Sequence, residues 1–391
     1  MVLNGGDLSL TLDNTTAASL LGNGSINAGG GNVALSAANG GIVLNGVTGQ
    51  IRGNVLNIAA QNSTWVNTNV ATLVANITAS NATLTVNEAN TLALVGADVQ
   101  TNNGDIAINL VSGSLAGNGN VIAGSANVAL TAGRGSINLT GVANQVKANQ
   151  LTLVAQNSSA VNTTVASLVA NITGSGQNLL VNEANDLKIA TGNVVANGGL
   201  VSITLATGNL SGNGSIAAGP TGNVYLTASQ GRITLASAPG QVSGNVLTIA
   251  AQNATTVNTS VQSLVANIRG LGQTLTVNEA NDLAVGQNVI SNNGAIAICL
   301  ATGNLSGSGV INAGTANVTL NASAGGITLT AANAQVVGNV LTLTSQNSTA
   351  VNTSVDWLNA KVTTNGASLT VTEDRKSTRL NSSHANISYA V

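Results

Sequence analysis

The chain has 391 residues, of which 43% are apolar, 6% charged and 1% aromatic; Phe is absent, Pro occurs twice, Gly 46 times and Asn 57 times. Such a composition excludes an ordinary globular enzyme and a basic nucleic-acid surface, yet it leaves enough small and β-branched aliphatic side chains to bury, so the chain folds. The longest unbroken apolar run, Ala295 to Ala301, is far short of the roughly 20 residues of a membrane helix, so no membrane span is expected, and a single cysteine rules out an internal disulfide framework.

In chain order, short segments with apolar residues at every second position begin at Leu8, Val33, Leu56 and Leu84, then at Ile106, Val128, Leu151 and Leu179. The series returns at Val201, Val224, Leu247 and Leu275, and again at Ile296, Val318, Leu341 and Leu369. Period-two alternation predicts strands, and the Gly, Asn and Ser between them predict corners. The mean step of about 24 residues is the length of one turn of a β-solenoid. The expected fold is therefore all-β, a parallel β-helix of about 16 coils of roughly 21–28 residues. Tandem immunoglobulin-like sandwiches would fit the longer period but need a buried Trp or a tyrosine corner in each domain, and the repeats have neither.

The longer period is about 95 residues. VNEAN begins at Val86, Val181 and Val277, LVANI at Leu73, Leu168 and Leu264, and QN(S/A)(S/T)xVNT at Gln61, Gln156, Gln252 and Gln346. The repeat units run approximately 1–86, 87–181, 182–277 and 278–373, within one continuous β-helical region, 1–373. The step after each LTL-type segment is longer than its neighbours, at about 28 residues, and its surplus is expected to leave the regular coil as a loop or ridge once per repeat. Amide ladders are expected only where Asn recurs in consecutive coils.

Alignment of the repeats gives a face to each rare side chain. Cys299 aligns with Thr11, Asn109 and Thr204, between two inward aliphatics, and should face solvent. Trp65 aligns with Ala160, Thr256 and Ala350, Trp357 with Thr72, Ser167 and Ser263, and Tyr225 with Ala34, Ala129 and Thr319. Positions that accept Trp, Ala and Thr are surface positions.

The repeat text stops at Glu373. The tail DRKSTRLNSSHANISYAV, 374–391, holds three of the ten basic residues and the only His. It resembles, at every position, the in-frame translation of a common short-read sequencing adapter. It is expected to be a non-native, disordered addition to a fragment of a longer, metagenomic reading frame. Without it seven basic residues face eleven acidic ones, a charge of about −4.

Catalytic inventories fail. Glu183 with Asp186 and Glu279 with Asp282 are the only recurrent acid pairs; Glu88 has Thr91 instead of a second acid. Acid–base work on a sugar needs two such groups on one face, so these acids are expected to end strands and meet water, and no catalytic residue is assigned. Cys299 has no His partner. Calcium nonapeptides are absent, and the GNG triplets at Gly22, Gly117 and Gly212 lack the spacing of a dinucleotide loop. No metal and no cofactor is expected. An ice-binding solenoid would need Thr-x-Thr in every coil, whereas VNT comes once per repeat.

The strings SGNGSIAAGPTGNVYLTASQGRITL, GNVLTIAAQNATTVNTSVQSLVANI and LTVNEANDL resemble the β-strand repeats of filamentous-haemagglutinin-like exoproteins, the very large secreted adhesins of Gram-negative bacteria. The resemblance covers residues 1–373. It implies a right-handed β-helix at the cell surface or secreted, exported through an outer-membrane transporter by a two-partner or autotransporter route. It also implies attachment through the parent exoprotein to host-cell or bacterial surface glycans or proteins. The first expectation is a non-catalytic stalk fragment, with no nucleic-acid partner; the alternative is a glycan-binding or glycan-processing β-helix.

Overall fold

The computed structural model describes residues 1–13, 18–374, 379–382 and 387–389. Those residues form strands and no helix, paired in parallel into a β-solenoid of about 16 turns. The chain divides into two compact units, Met1–Asn197 and Gly198–Val391. The division falls inside the third repeat.

In the first unit one ladder runs Leu10, Leu35, Ile58, Ala75, Val99, Val121 and Val146, each in register with the next. A second runs Leu44, Val66, Val86, Ile108, Leu130, Leu153 and Ala170. From Leu35 and Leu44 onward these residues are buried. They form an aliphatic interior that alternation alone creates, because every second side chain of each strand turns inward. The second unit repeats the pattern: Ile203, Leu226, Ile249, Ala266 and Val289 in one ladder, and Val257, Val277, Ile298, Leu320 and Leu343 in another.

The long step after each LTL-type segment is not a bulging coil. The strand Thr64–Ser80 stays in register with Ile51–Ala60 from Thr68 to Ile77, and Ile58 pairs with Ala75. That turn is markedly shorter than the one before it, in which Leu35 pairs with Ile58. The step therefore contains the tightest turn, made by two long strands that pass a corner without a loop, followed by a move to the next face. Thr64–Ser80 is continued by Leu84–Glu88 over its first five residues and meets Val99–Asn102 near its end. Turn lengths along this ladder accordingly differ from the expected ones at both limits. The longest, such as Leu10 to Leu35, fall short of the longest expected coil, and Ile58 to Ala75 is shorter than any expected.

Consequently the repeats do not stack motif on motif. Leu8–Leu12 lies in the ladder of Val33–Ala37, whereas its repeat equivalent Ile106–Leu110 lies in the ladder of Leu84–Glu88. In the second unit Val201–Leu205 and its equivalent Ile296–Leu300 are likewise in different ladders. Within each unit the next repeat starts four turns on and one face further, so equivalent residues there point in different directions.

Beyond Glu373 two short strands, Arg379–Ser382 and Ile387–Tyr389, pair with 357–360 and 369–371. An open final turn presents unpaired N–H and C=O groups on which an extended backbone of almost any sequence can pair. The rest of the tail past Asp374 lies outside the described residues.

Candidate functional site

Among the buried polar side chains, which include the hydroxyls of Thr64, Thr68 and their equivalents, two long ones recur from repeat to repeat. The first is a glutamine. Gln145 is fully buried; its Nε2 donates to the carbonyls of Gly117 and Gly119 at 2.9 and 2.8 Å, and its Oε1 accepts from the Gly141 N–H at 3.0 Å. Gln50, Gln241 and Gln335 make the same three bonds to their own corners. The GNG triplets are thus corners whose carbonyls are already taken. Gly117, Gly212 and Gly307 hold φ of 129, 128 and 123°, where an L side chain is strained. A Cβ at Gly117 would also lie 2.0 Å from the Leu94 carbonyl.

The second is the glutamate of VNEAN. Glu88, Glu183 and Glu279 are buried, at 0%, 1% and 1% exposure, which corrects the expectation that they end a strand in water. Thr68 Oγ1 donates to Glu88 Oε2 at 2.7 Å, the Val70 N–H to the same oxygen at 3.2 Å, and the Asn90 N–H to Oε1 at 3.1 Å. Glu183 accepts in the same way from Thr163, Val165, Ala184 and Asn185, and Glu279 from Thr259, Val261, Ala280 and Asn281. Thr353 Oγ1 also donates to Glu373, at 2.8 Å. The carboxylate joins an N–H of the long strand to N–H groups of the turn that follows the glutamate itself, and an apolar side chain in its place would remove that shared acceptor. Burial pushes the carboxyls of Glu88, Glu183 and Glu279 above their ordinary value of 4.5, against the pull of those hydrogen bonds.

The acid pairs are not brought together. Glu183 and Glu279 point into the core, whereas Asp186 and Asp282 are exposed, and Asp282 Oδ1 accepts from the N–H and side chain of Asn304 on the next turn. Among the described residues no three His, Cys, Asp or Glu side chains gather as metal ligands.

Cys299 faces outward between the buried Ile298 and Leu300, as alternation requires, but is half-buried, and burial pushes its thiol up. It stands in register between Asn278 and Asn321, at the edge of a shallow groove of about 410 Å³ beside Pro239. In the first unit the same position is Asn109, whose amide donates to Asn87 at 3.1 Å, while Asn87 donates to Asn67 and Asn67 to the Asn45 carbonyl. The cysteine thus interrupts an amide ladder of the kind expected where Asn recurs in consecutive turns. Trp65, Trp357 and Tyr225 are 47%, 45% and 42% exposed, consistent with surface positions.

Compared with protein-family models, with curated proteins and with solved structures, the chain finds no match. The glutamine and glutamate sites were readable in part. Gln followed by Ile or Val occurs once per repeat, and each VNEAN glutamate follows the Thr of VNT at one constant spacing: Thr68 to Glu88, Thr163 to Glu183, Thr259 to Glu279.

Proposed function

We propose that the chain is a non-catalytic spacer segment of a secreted or surface-exposed, filamentous-haemagglutinin-like bacterial adhesin. An outer-membrane transporter would deliver it, and it would hold out a site, borne elsewhere on the parent exoprotein, for surface glycans or proteins. The observation that carries this reading is the use of the recurrent polar groups. The glutamine of each repeat and the glutamate of each VNEAN are turned inward and engaged in hydrogen bonds that hold turn to turn. A glycan-processing β-helix would need two titratable groups close together on an outer face, and Glu183 and Asp186 are divided between core and solvent.

The test is a repeat-number series in the parent exoprotein. Excising residues 182–277, one full repeat, removes four turns and one face-step together, so the flanking strands still meet in register. Attachment is expected to change gradually with repeat number. Complete loss on excising any one repeat, with the remainder still folded, would overturn the spacer reading and place the attachment site on these turns.

A further inference from the structure

One outward column of the first unit passes through six consecutive turns as Leu21, Val43, Trp65, Thr85, Ala107 and Ala129, each in register with the next. Three large apolar side chains are followed by three small ones. Leu21 is 67% exposed and Trp65 47%. Elsewhere the repeats carry small or polar residues where this ridge stands: Ala116, Asn138 and Ala160 in one copy, Ser211, Thr234 and Thr256 in the next, Ser306, Thr328 and Ala350 in the last. All three positions are enlarged together, in a single copy, on adjacent turns. Beside the column, on the same strands, Asn67, Asn87 and Asn109 form the amide ladder. Neither column contains an ionisable group.

We infer that this face binds the same face of a second copy of the chain, the two solenoids antiparallel, with the two-fold axis lying along the strands between Trp65 and Thr85. That operation inverts the order of turns while keeping each column opposite itself. Trp65 then lies on Thr85 of the second copy, Val43 on Ala107 and Leu21 on Ala129, and every such contact occurs twice. Asn67 lies opposite Asn87 of the second copy, amide against amide. A parallel arrangement would set large on large and leave the small half of the column uncovered.

The size of the face decides how strong the contact is. Six turns of about 4.8 Å, with paired segments of two to five residues at about 3.3 Å per residue, give a footprint of about 400 Å² per copy. A standard interface buries about 800 Å² per partner, so the dimer is reversible and concentration-dependent. The inference rests on the fold and the column, and it stands or falls separately from the spacer reading.

The experiment uses the full chain carrying Cys299→Ser. Sedimentation velocity from about 10 μM to about 1 mM should show a monomer–dimer equilibrium, weakened about tenfold or more by Trp65→Ala and by Ala107→Arg, which puts a charge on the small half. Neither substitution touches the interior, and an unchanged circular dichroism melt confirms that each variant is folded. In the same background Val43→Cys with Ala107→Cys should oxidise to a covalent dimer far more readily than either single cysteine. A monomer at every concentration, a dimer indifferent to both folded variants, or Val43→Cys cross-linking alone as well as the pair does would each overturn the proposal.

Discussion

The two units share an interior and differ outside. In the first, Val66, Val86, Ile108 and Leu130 fill one inward column; in the second the equivalent residues are Val257, Val277, Ile298 and Leu320. The outward column one residue away reads Leu21, Val43, Trp65, Thr85, Ala107, Ala129 in the first unit and Ser211, Thr234, Thr256, Thr276, Ala297, Thr319 in the second. A narrow aliphatic interior tolerates few volumes, whereas the outer face tolerates many. What separates the units chemically lies on the surface.

The strongest way to break the comparison is to charge the shared interior. Ile108→Asp and Ile298→Asp should each cost about 4 kcal/mol or more, because each buries a charge with nothing to pair it. Amide exchange should show the loss centred on neighbouring turns in both cases. A mild effect at one position and a severe one at the other would mean that the interiors are not equivalent.

Removing a buried glutamate comes next. Glu183→Ala leaves the Val165 N–H and the Thr163 hydroxyl without their acceptor and should cost about 2–4 kcal/mol in urea unfolding. Glu183→Gln keeps an acceptor for them but turns its NH2 toward the Ala184 and Asn185 N–H groups, so it should cost less than Glu183→Ala without being neutral.

The same carboxyls set a pH dependence with a definite sign. Their pKa is raised in the folded state by desolvation, so the native chain holds protons that the unfolded chain has already released. Stability is therefore highest below the ordinary value of 4.5 and falls as pH rises through the raised values, then levels off. Urea midpoints measured across that range should decline, and the triple variant Glu88→Gln, Glu183→Gln, Glu279→Gln should flatten the decline. A midpoint that climbs over the same range would show that the hydrogen bonds to the carboxylates outweigh their burial.

The smallest effect sharpens the comparison at the surface. Cys299→Asn supplies the residue that Asn109 provides in the first unit, so it should complete the interrupted ladder and stabilise the second unit by about 0.5–1 kcal/mol. In the unaltered chain the thiol should react with a neutral labelling reagent more slowly than free cysteine at pH 7, since its pKa is raised and the side chain is half-buried.

Alternation carried most of what could be read ahead of the structure: strands, corners, the parallel solenoid and the outward side of Trp65, Tyr225 and Cys299. The VNEAN glutamate shows where that reading stopped short. Val86 is inward and Asn87 outward, so the same rule extended by one residue puts Glu88 inside; the cost of burying a lone carboxylate argues against it until its donors are known. Two of those donors, Thr68 and Val70, lie a full turn upstream and are adjacent only once that turn closes.

The amino-acid sequence by itself determined the period, the class of fold and which side chains alternate inward, because these follow from neighbours along one strand. Only the tertiary structure decided which strand stacks on which. The spacing of LTL-type segments suggested a long coil, and the pairing of Ile58 with Ala75 made it the shortest turn, with the next motif displaced to another face. The physical reason is that turn length is set by how a bend closes, through Gln145 at the corners and Glu88 at the long strands. Those hydrogen bonds join residues far apart in sequence, and local periodicity carries no record of them.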